Sequence, residues 1–238
     1  MKRHTFSTVM AIAMVAGFTS CKTGNTASDK EKDTTTAQWV SLFDGKTLDG
    51  WHSFNSDTVA GWTVIDGCLT GLGEGSDLTG DLVTDKEYKD FELSLEWKIA
   101  EGGNSGVLYH VVEDGNHKTT YETGPEYQLI DDEGYPGHLE EWQKTAANYA
   151  MHLPDNKVVK PVGEFNTTRI VVDGSHVEHW LNGKKVLEFE MWTDDWKERV
   201  ADGKWKDYPD YGLAKKGHIA LQDHGSKVWF KDIRIKEL

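Results

Sequence analysis

From Phe91 to Ile99 apolar and polar residues alternate. Phe91, Leu93, Leu95, Trp97 and Ile99 fall on one side and Glu92, Ser94, Glu96 and Lys98 on the other. A period of two belongs to a β-strand with one face buried and one in water. Val107 to Val112 and Glu126 to Asp131 read as two more strands. Further on, Arg169 to Val172, His176 to Leu181 and Lys185 to Phe189 are separated by Asp173-Gly174 and Asn182-Gly183. Those dipeptides suit the primed turns of hairpins, so the stretch is predicted to be a three-stranded meander. Strands are also predicted over His218 to Asp223 and Val228 to Ile235. Between Phe230 and Ile233 the apolar phase slips by one position, as at a β-bulge.

One segment departs from this period. Thr193 is placed to cap a helix whose first turn holds Asp194 and Asp195, and Trp192, Trp196 and Val200 recur every four residues. Many strands, short turns and one or two short helices predict an all-β fold, an antiparallel β-sandwich of the jelly-roll type. No repeat of fixed period is visible, which argues against a propeller. The globular part runs from residue 39 to residue 238 without a break in composition, and reads as one domain.

The N-terminus follows other rules. Lys2 and Arg3 precede the apolar run Val9 to Phe18, and Phe18-Thr19-Ser20-Cys21 follows. About ten apolar residues are too few for a permanent bilayer span. The arrangement resembles a bacterial lipoprotein signal cleaved before an acylated cysteine. Residues 1–20 are therefore expected to be a signal peptide, Cys21 the lipidated mature N-terminus, and 21–38 a flexible tether, since that Thr-, Lys- and Asp-rich stretch lacks apolar periodicity. The expected location is the periplasm or the cell surface, with contact to a bacterial membrane through the lipid alone.

Of the 238 residues, 37% are hydrophobic and 28% charged, so the chain can bury a large core. The formal charge of -14, which becomes -16 once Lys2 and Arg3 are removed, repels polyphosphates and excludes general nucleic-acid binding. Ten Trp, eight Tyr and eight Phe serve a broad core, and rings of this kind also stack on sugars. Cys21 and Cys68 are the only cysteines, so no disulfide framework holds the fold. Cys68, beside the turn Asp66-Gly67, reads as a small core residue rather than a nucleophile.

The common catalytic signatures are absent: no nucleophile elbow, no zinc-protease helix, no P-loop. Gly71-Leu72-Gly73-Glu74-Gly75 has the wrong register for a dinucleotide fold and reads as a loop. What remains is a set of polar residues on strands. Glu126 and Gln128, two apart, project from one face, while Tyr127 and Leu129 project from the other. Neighbouring strands carry His110, His179 and His224, and imidazole beside carboxylate serves either acid–base work or a divalent metal. No two histidines stand at a tight ligand spacing. Asp223-His224, after Gln222 and before Gly225, is a second polar cluster, and Asn104-Ser105-Gly106 opens the strand that bears His110.

Several stretches together resemble the 3-keto-disaccharide hydrolase family: Leu42 to Trp51 (LFDGKTLDGW), Asn104-Ser105-Gly106, Glu126 to Asp131 (EYQLID), His179 to Gly183 (HWLNG) and Gly217 to Gly225 (GHIALQDHG). The resemblance spans roughly Val40 to Leu238. It implies a concanavalin A-like jelly roll that acts on glycosides oxidised to a ketone at C3, by C1–C2 elimination as a lyase or by net hydrolysis. It also implies Glu126 or a histidine, His110 or His224, as the catalytic base. His224 is implied alternatively as an acid or as a ligand to a divalent cation at O3, the metal itself being unspecified. Asn104, Gln128, Asp131, His179 and Asp223 are implied as substrate-binding residues. The stretch from Asp132 to Asn148 is longer than the family's usual connection, which bears on aglycone fit. Two other functions compatible with this fold class are a non-catalytic carbohydrate-binding module and a glucanase-like glycosidase. The second needs an E-x-D-x-x-E strand, which the globular part lacks.

Overall fold

The computed structural model describes residues 37–73 and 80–238. The expected signal peptide, Cys21 and nearly all of the tether lie outside the described residues, as does the end of the Gly71 to Gly75 loop. Among the described residues no helix is long and apolar enough to cross a membrane.

In chain order the strands are β1 (Val40–Ser41), β2 (Trp51–Ser53), β3 (Trp62–Ile65), β4 (Cys68–Gly71), β5 (Leu82–Thr84), β6 (Phe91–Ile99), β7 (Asn104–Val111), β8 (Glu126–Ile130), β9 (Asn166–Asp173), β10 (His176–Leu181), β11 (Lys184–Glu190), β12 (His218–Leu221) and β13 (Val228–Glu237). A helix, α1 (Asp194–Asp202), precedes β12. All pairings are antiparallel. One sheet runs β11-β10-β9-β6-β13-β4-β3, with β1 on the far half of β13, and the other runs β2-β5-β12-β7-β8. This is the antiparallel β-sandwich that the alternation predicts. Leu93, Leu95, Trp97, Ile170, Val172 and Phe230 of the first sheet share one buried cluster with Val107, Tyr109, Tyr127, Leu129, Ile219 and Leu221 of the second. Full burial of each such large side chain contributes about 1.5–3 kcal/mol.

Turn chemistry fixes the registers. Asn182 and Gly183 have φ of 49° and 80°, and Leu181 pairs with Lys184, so β10 and β11 are joined by the expected primed turn. The preceding turn sits one residue later than Asp173-Gly174. Asp173 pairs with His176, leaving Gly174-Ser175 as the two-residue loop with only Gly174 at positive φ. The expected bulge in β13 is present as a register shift between Lys231 and Arg234, with Asp232 at φ 49°. The first five strands have no counterpart in the sequence reading, because at two to four residues each is too short to display a period.

Thr193 caps α1, its Oγ1 accepting from the Trp196 amide at 3.2 Å. Trp192, at φ 64°, lies before the helix rather than on its face. Cys68 is buried, and burial pushes its thiol up, away from the reactive thiolate.

Candidate active site

Side-chain alternation explains how the smaller sheet builds a polar face. In β7 and β8, Asn104 is opposite Ile130, Gly106 opposite Gln128 and Leu108 opposite Glu126. Val107, Tyr109, Tyr127 and Leu129 point into the core. Asn104, Gly106, Glu126 and Gln128 therefore share the outer face. Ala220 of β12 pairs with both Leu108 and Val83, which brings Gln222, just past β12, and Asp81, just before β5, to the same face. The Gln222 amide donates to the Gly106 carbonyl at 2.9 Å, continuing the ladder.

Over this face opens a cleft of about 550 Å³. Its floor includes Asp81, Asn104, Glu126, Gln128, Gln222, Asp223 and His224, and its walls include Lys118, Tyr121, Tyr149, Lys204, Trp205 and Tyr208. The wall is aromatic because α1 and the one-turn segment Lys204–Asp207 dock through a column of rings. Trp205 stacks on Tyr211 at 4.1 Å, Tyr211 on Trp196 at 5.9 Å and Trp196 on Phe189 at 5.9 Å. The Trp205 indole donates to the Tyr149 carbonyl at 3.1 Å, which ties this turn to the β8–β9 connection.

Glu126 is 4% exposed, and its carboxyl group has no hydrogen-bond partner among the described residues. Burial pushes its pKa up to about 8; the Lys204 ammonium opposes that rise and Asp81 adds to it. Asp81 is also raised, to about 6, chiefly by burial, against a hydrogen bond from Thr120 Oγ1 and one at 2.8 Å from the Asp223 amide. Its two oxygens thus tie the cleft wall at Thr120 to the end of β12. Asp223 is buried and Oδ1 accepts from the Gly225 amide at 3.0 Å. Gln128 Nε2 donates to the Gln143 carbonyl at 3.1 Å. Asn104 Oδ1 and Gln222 Oε1 are buried acceptors without a donor among the described residues. Buried acceptors of this kind are satisfied by hydroxyl groups of water or a ligand.

Of the residues singled out in the sequence, Glu126, Gln128, Asn104, Asp223 and His224 line this one cleft. Three others do not. His110 falls in a bulge of β7, where Leu108 pairs with Ala220 but Val111 pairs with His218, and its φ is 54°. The extra residue turns the imidazole away, and Nε2 lies 2.7 Å from the Lys89 carbonyl. His179 is fully buried between the sheets, 4.7 Å from the Tyr127 ring, with Nδ1 3.0 Å from the Ala146 carbonyl; burial takes its pKa down to about 3 and keeps it neutral. Asp131 accepts from the amides of Gly102 and Gly134 at 2.8 and 2.9 Å and closes the turn after β8. These three are structural residues outside the cleft. Ser105 likewise points inward, donating to the Gln222 carbonyl at 2.8 Å.

Asp81 and Lys204 are cleft residues that sequence reasoning missed. Each lies outside a regular strand, and only a sheet neighbour or the ring column brings it to the site. The long connection reaches the cleft too: Trp142 packs edge-on to Tyr149 at 5.4 Å. As for a metal, among the described residues one His/Asp/Glu triplet has its ligand atoms within 4.8 Å of one another. It is His176, Glu178 and Glu188 on the opposite sheet, where Lys185 already bridges both glutamates. The described cleft residues do not form such a triplet.

A family model described as a 3-keto-alpha-glucoside-1,2-lyase-like domain matches residues 38–236. The 3-keto-disaccharide hydrolase of Bacteroides thetaiotaomicron is 36% identical over 229 residues, covering 84% of this chain and 78% of the relative. A candidate glycosyl hydrolase from Parabacteroides distasonis has a solved structure that matches with a TM-score of 0.80 at 47% identity, over 84% of this chain and 94% of its own. A second from the same organism matches at 0.66 and 33% identity, over 84% and 100% of the two chains. Sequence and fold agree over nearly all of the described chain, and the chain is an enzyme that belongs to the 3-keto-alpha-glucoside-1,2-lyase-like family, the family of the 3-keto-disaccharide hydrolases.

Proposed function

We propose that the cleft takes a 3-keto-glucoside and breaks its glycosidic bond by elimination across C1 and C2, with Glu126 as the base. A ketone at C3 acidifies the proton on C2. Glu126 takes that proton, and the electron pair left behind forms the C2=C3 enolate. Collapse of the enolate restores the C3 carbonyl, forms the C1=C2 double bond and expels the aglycone oxygen from C1. The aglycone leaves as an alcohol once it has been protonated, and His224, on the same cleft floor, is the proposed donor. Addition of water across C1=C2 of the bound product, oxygen to C1 and hydrogen to C2, turns the lyase outcome into net hydrolysis.

The observation that carries this reading is the Glu126 carboxyl group: buried, without a protein hydrogen bond among the described residues, and raised to about 8. A carboxylate stripped of solvent is a far stronger base than one in water, and a pKa near the working pH suits proton abstraction. Ordinary glycoside hydrolysis needs two carboxyl groups flanking the bond. Two other enclosed carboxyl groups lie at this face, and both are engaged by the protein: Asp81 accepts from Thr120 and the Asp223 amide, and Asp223 accepts from the Gly225 amide. Asn104 Oδ1 and Gln222 Oε1 offer acceptors to sugar hydroxyls, and Trp205, Tyr208 and Tyr121 offer ring surface.

The test is the reaction in deuterated water with a 3-keto-glucoside and its unoxidised parent. Elimination requires loss of the C2 hydrogen, so hydrolysis product carries solvent deuterium at C2. Product that keeps its C2 hydrogen, or equal turnover of the parent glycoside, overturns the mechanism.

We further propose that the protein is a lipoprotein anchored through Cys21 at the periplasmic or outer surface of a bacterial membrane. The motivation is the order of Lys2 and Arg3, the apolar run and Thr19-Ser20-Cys21. Cys21→Ala is expected to move the protein from the membrane to the soluble fraction; retention in the membrane overturns the anchor.

A further inference from the structure

Elimination through an enolate needs more than a base. Negative charge gathers on the C3 oxygen, and a fixed positive group or hydrogen-bond donor there lowers the barrier. The cleft floor supplies the wrong sign, with Asp81, Glu126 and Asp223 together. Two ammonium groups face it, those of Lys118 and Lys204, and the structure treats them differently. Both side chains are exposed, but among the described residues only the backbone amide of Lys118 is engaged, by Glu122 at 3.1 Å. Lys204 is held against two rings. Its Nζ lies 4.1 Å from the centre of the Tyr149 ring and 4.9 Å from that of Trp205. The Trp205 indole is bonded to the Tyr149 carbonyl, which locks the two rings together. Gly203, just before it, packs so tightly that a Cβ there would stand 2.5 Å from the Arg199 carbonyl oxygen.

The ring faces favour the charged ammonium, and no carboxylate lies within ion-pair distance of Lys204 among the described residues. The charge is therefore not consumed by the protein. It remains open to the cleft until a ligand fills the space. Lys204 and Glu126 also act on each other: the ammonium favours the carboxylate, and the carboxylate favours the ammonium.

We infer that Lys204 is a catalytic residue that holds the C3 oxygen of the substrate and carries its negative charge in the enolate. The inference rests on the elimination reading above. In the resting cleft Lys204 stabilises the ionised base. As the C2 proton moves to Glu126 the carboxylate is neutralised and the charge appears on the C3 oxygen, so the ammonium follows the charge without moving far. No covalent bond to lysine is required.

The experiment uses a 3-keto-glucoside for turnover and a 1-deoxy-3-keto sugar, which has no aglycone to expel, for exchange of the C2 hydrogen with deuterated water followed by NMR. Lys204→Met is expected to lower kcat by about 10²–10³-fold, the usual cost of removing one oxyanion donor, and to slow exchange by a similar factor. KM should change little, and the pH limb due to Glu126 should move upward. Lys204→Arg should recover part of the loss, and Lys206→Met, on the same turn but outside the cleft, should stay within a few-fold of the parent. If Lys204→Met folds normally and keeps both rates within a few-fold, or loses only KM, the assignment is wrong while the elimination reading stands. If the unmodified enzyme neither eliminates nor exchanges, the elimination reading fails and takes this one with it.

Discussion

Gly106 lies directly against the carboxyl group of Glu126: a Cβ on Gly106 would stand 2.2 Å from Oε1 and 2.9 Å from Cγ. The two residues sit on paired strands of one outer face, Gly106 opposite Gln128 and Glu126 opposite Leu108. The absence of a side chain at 106 is what lets the carboxyl group lie flat on the cleft floor.

Gly106→Ala is accordingly expected to displace that carboxyl group. Misplacement of a reacting group by about 1 Å costs on the order of 10² in rate, and overpacking costs about 1–3 kcal/mol of stability. Steady-state kinetics and thermal unfolding of the variant check both; unchanged kcat would show that the carboxyl position is unimportant.

Glu126 links activity to stability through pH. An ordinary glutamate carboxyl group has a pKa of 4.5, and burial raises that of Glu126 to about 8 in the folded chain. Between those limits the folded state keeps a proton that the unfolded state has lost, so stability falls as pH rises from about 4.5 to about 8. Glu126→Gln is neutral throughout and escapes this decline. It should unfold near the parent temperature at pH 5 and at a higher one at pH 8 to 9. Activity should run the other way: kcat/KM of the parent climbs with pH until Glu126 is ionised, and the variant loses about 10²–10⁴-fold. Differential scanning fluorimetry across pH, paired with initial rates, reads both; a parallel fall in Tm for parent and variant would contradict the burial of the charge.

His110 should not matter to the chemistry. Asn tolerates the left-handed backbone at that position, so His110→Asn is expected to lose about 1 kcal/mol with its bond to the Lys89 carbonyl and to keep kcat/KM. A loss on the scale of 10² or more, typical of a missing general base, would return His110 to the site.

Gly183, at φ 80°, carries the turn between β10 and β11. Gly183→Val places a β-branched residue there and should cost about 1–2 kcal/mol, a fall of several degrees in Tm for a chain of this size. An unchanged Tm would mean that the turn can rearrange without loss.

Much of the larger sheet is legible along the chain, because β6 and the β9–β10–β11 meander are long enough to show their period and are joined by turns whose residues demand positive φ. The short strands β2 to β5 are not, since three or four residues carry no period and exist only by pairing with distant partners. The site divides in the same way. Glu126 and Gln128 are two apart on one strand, so their shared face follows from local geometry. Whether a histidine joins them does not. A single extra residue in β7 turns His110 toward the Lys89 carbonyl, and His179 belongs to the opposite sheet, where it packs on Tyr127. Asp81 and Lys204 reach Glu126 only because β5 lies beside β12 and because a column of stacked rings docks the segment after α1. Side-chain alternation and turn preference act over a few residues and can be read from the chain, whereas strand neighbours, bulges and ring packing join residues tens to more than a hundred positions apart and arise only when the two sheets close.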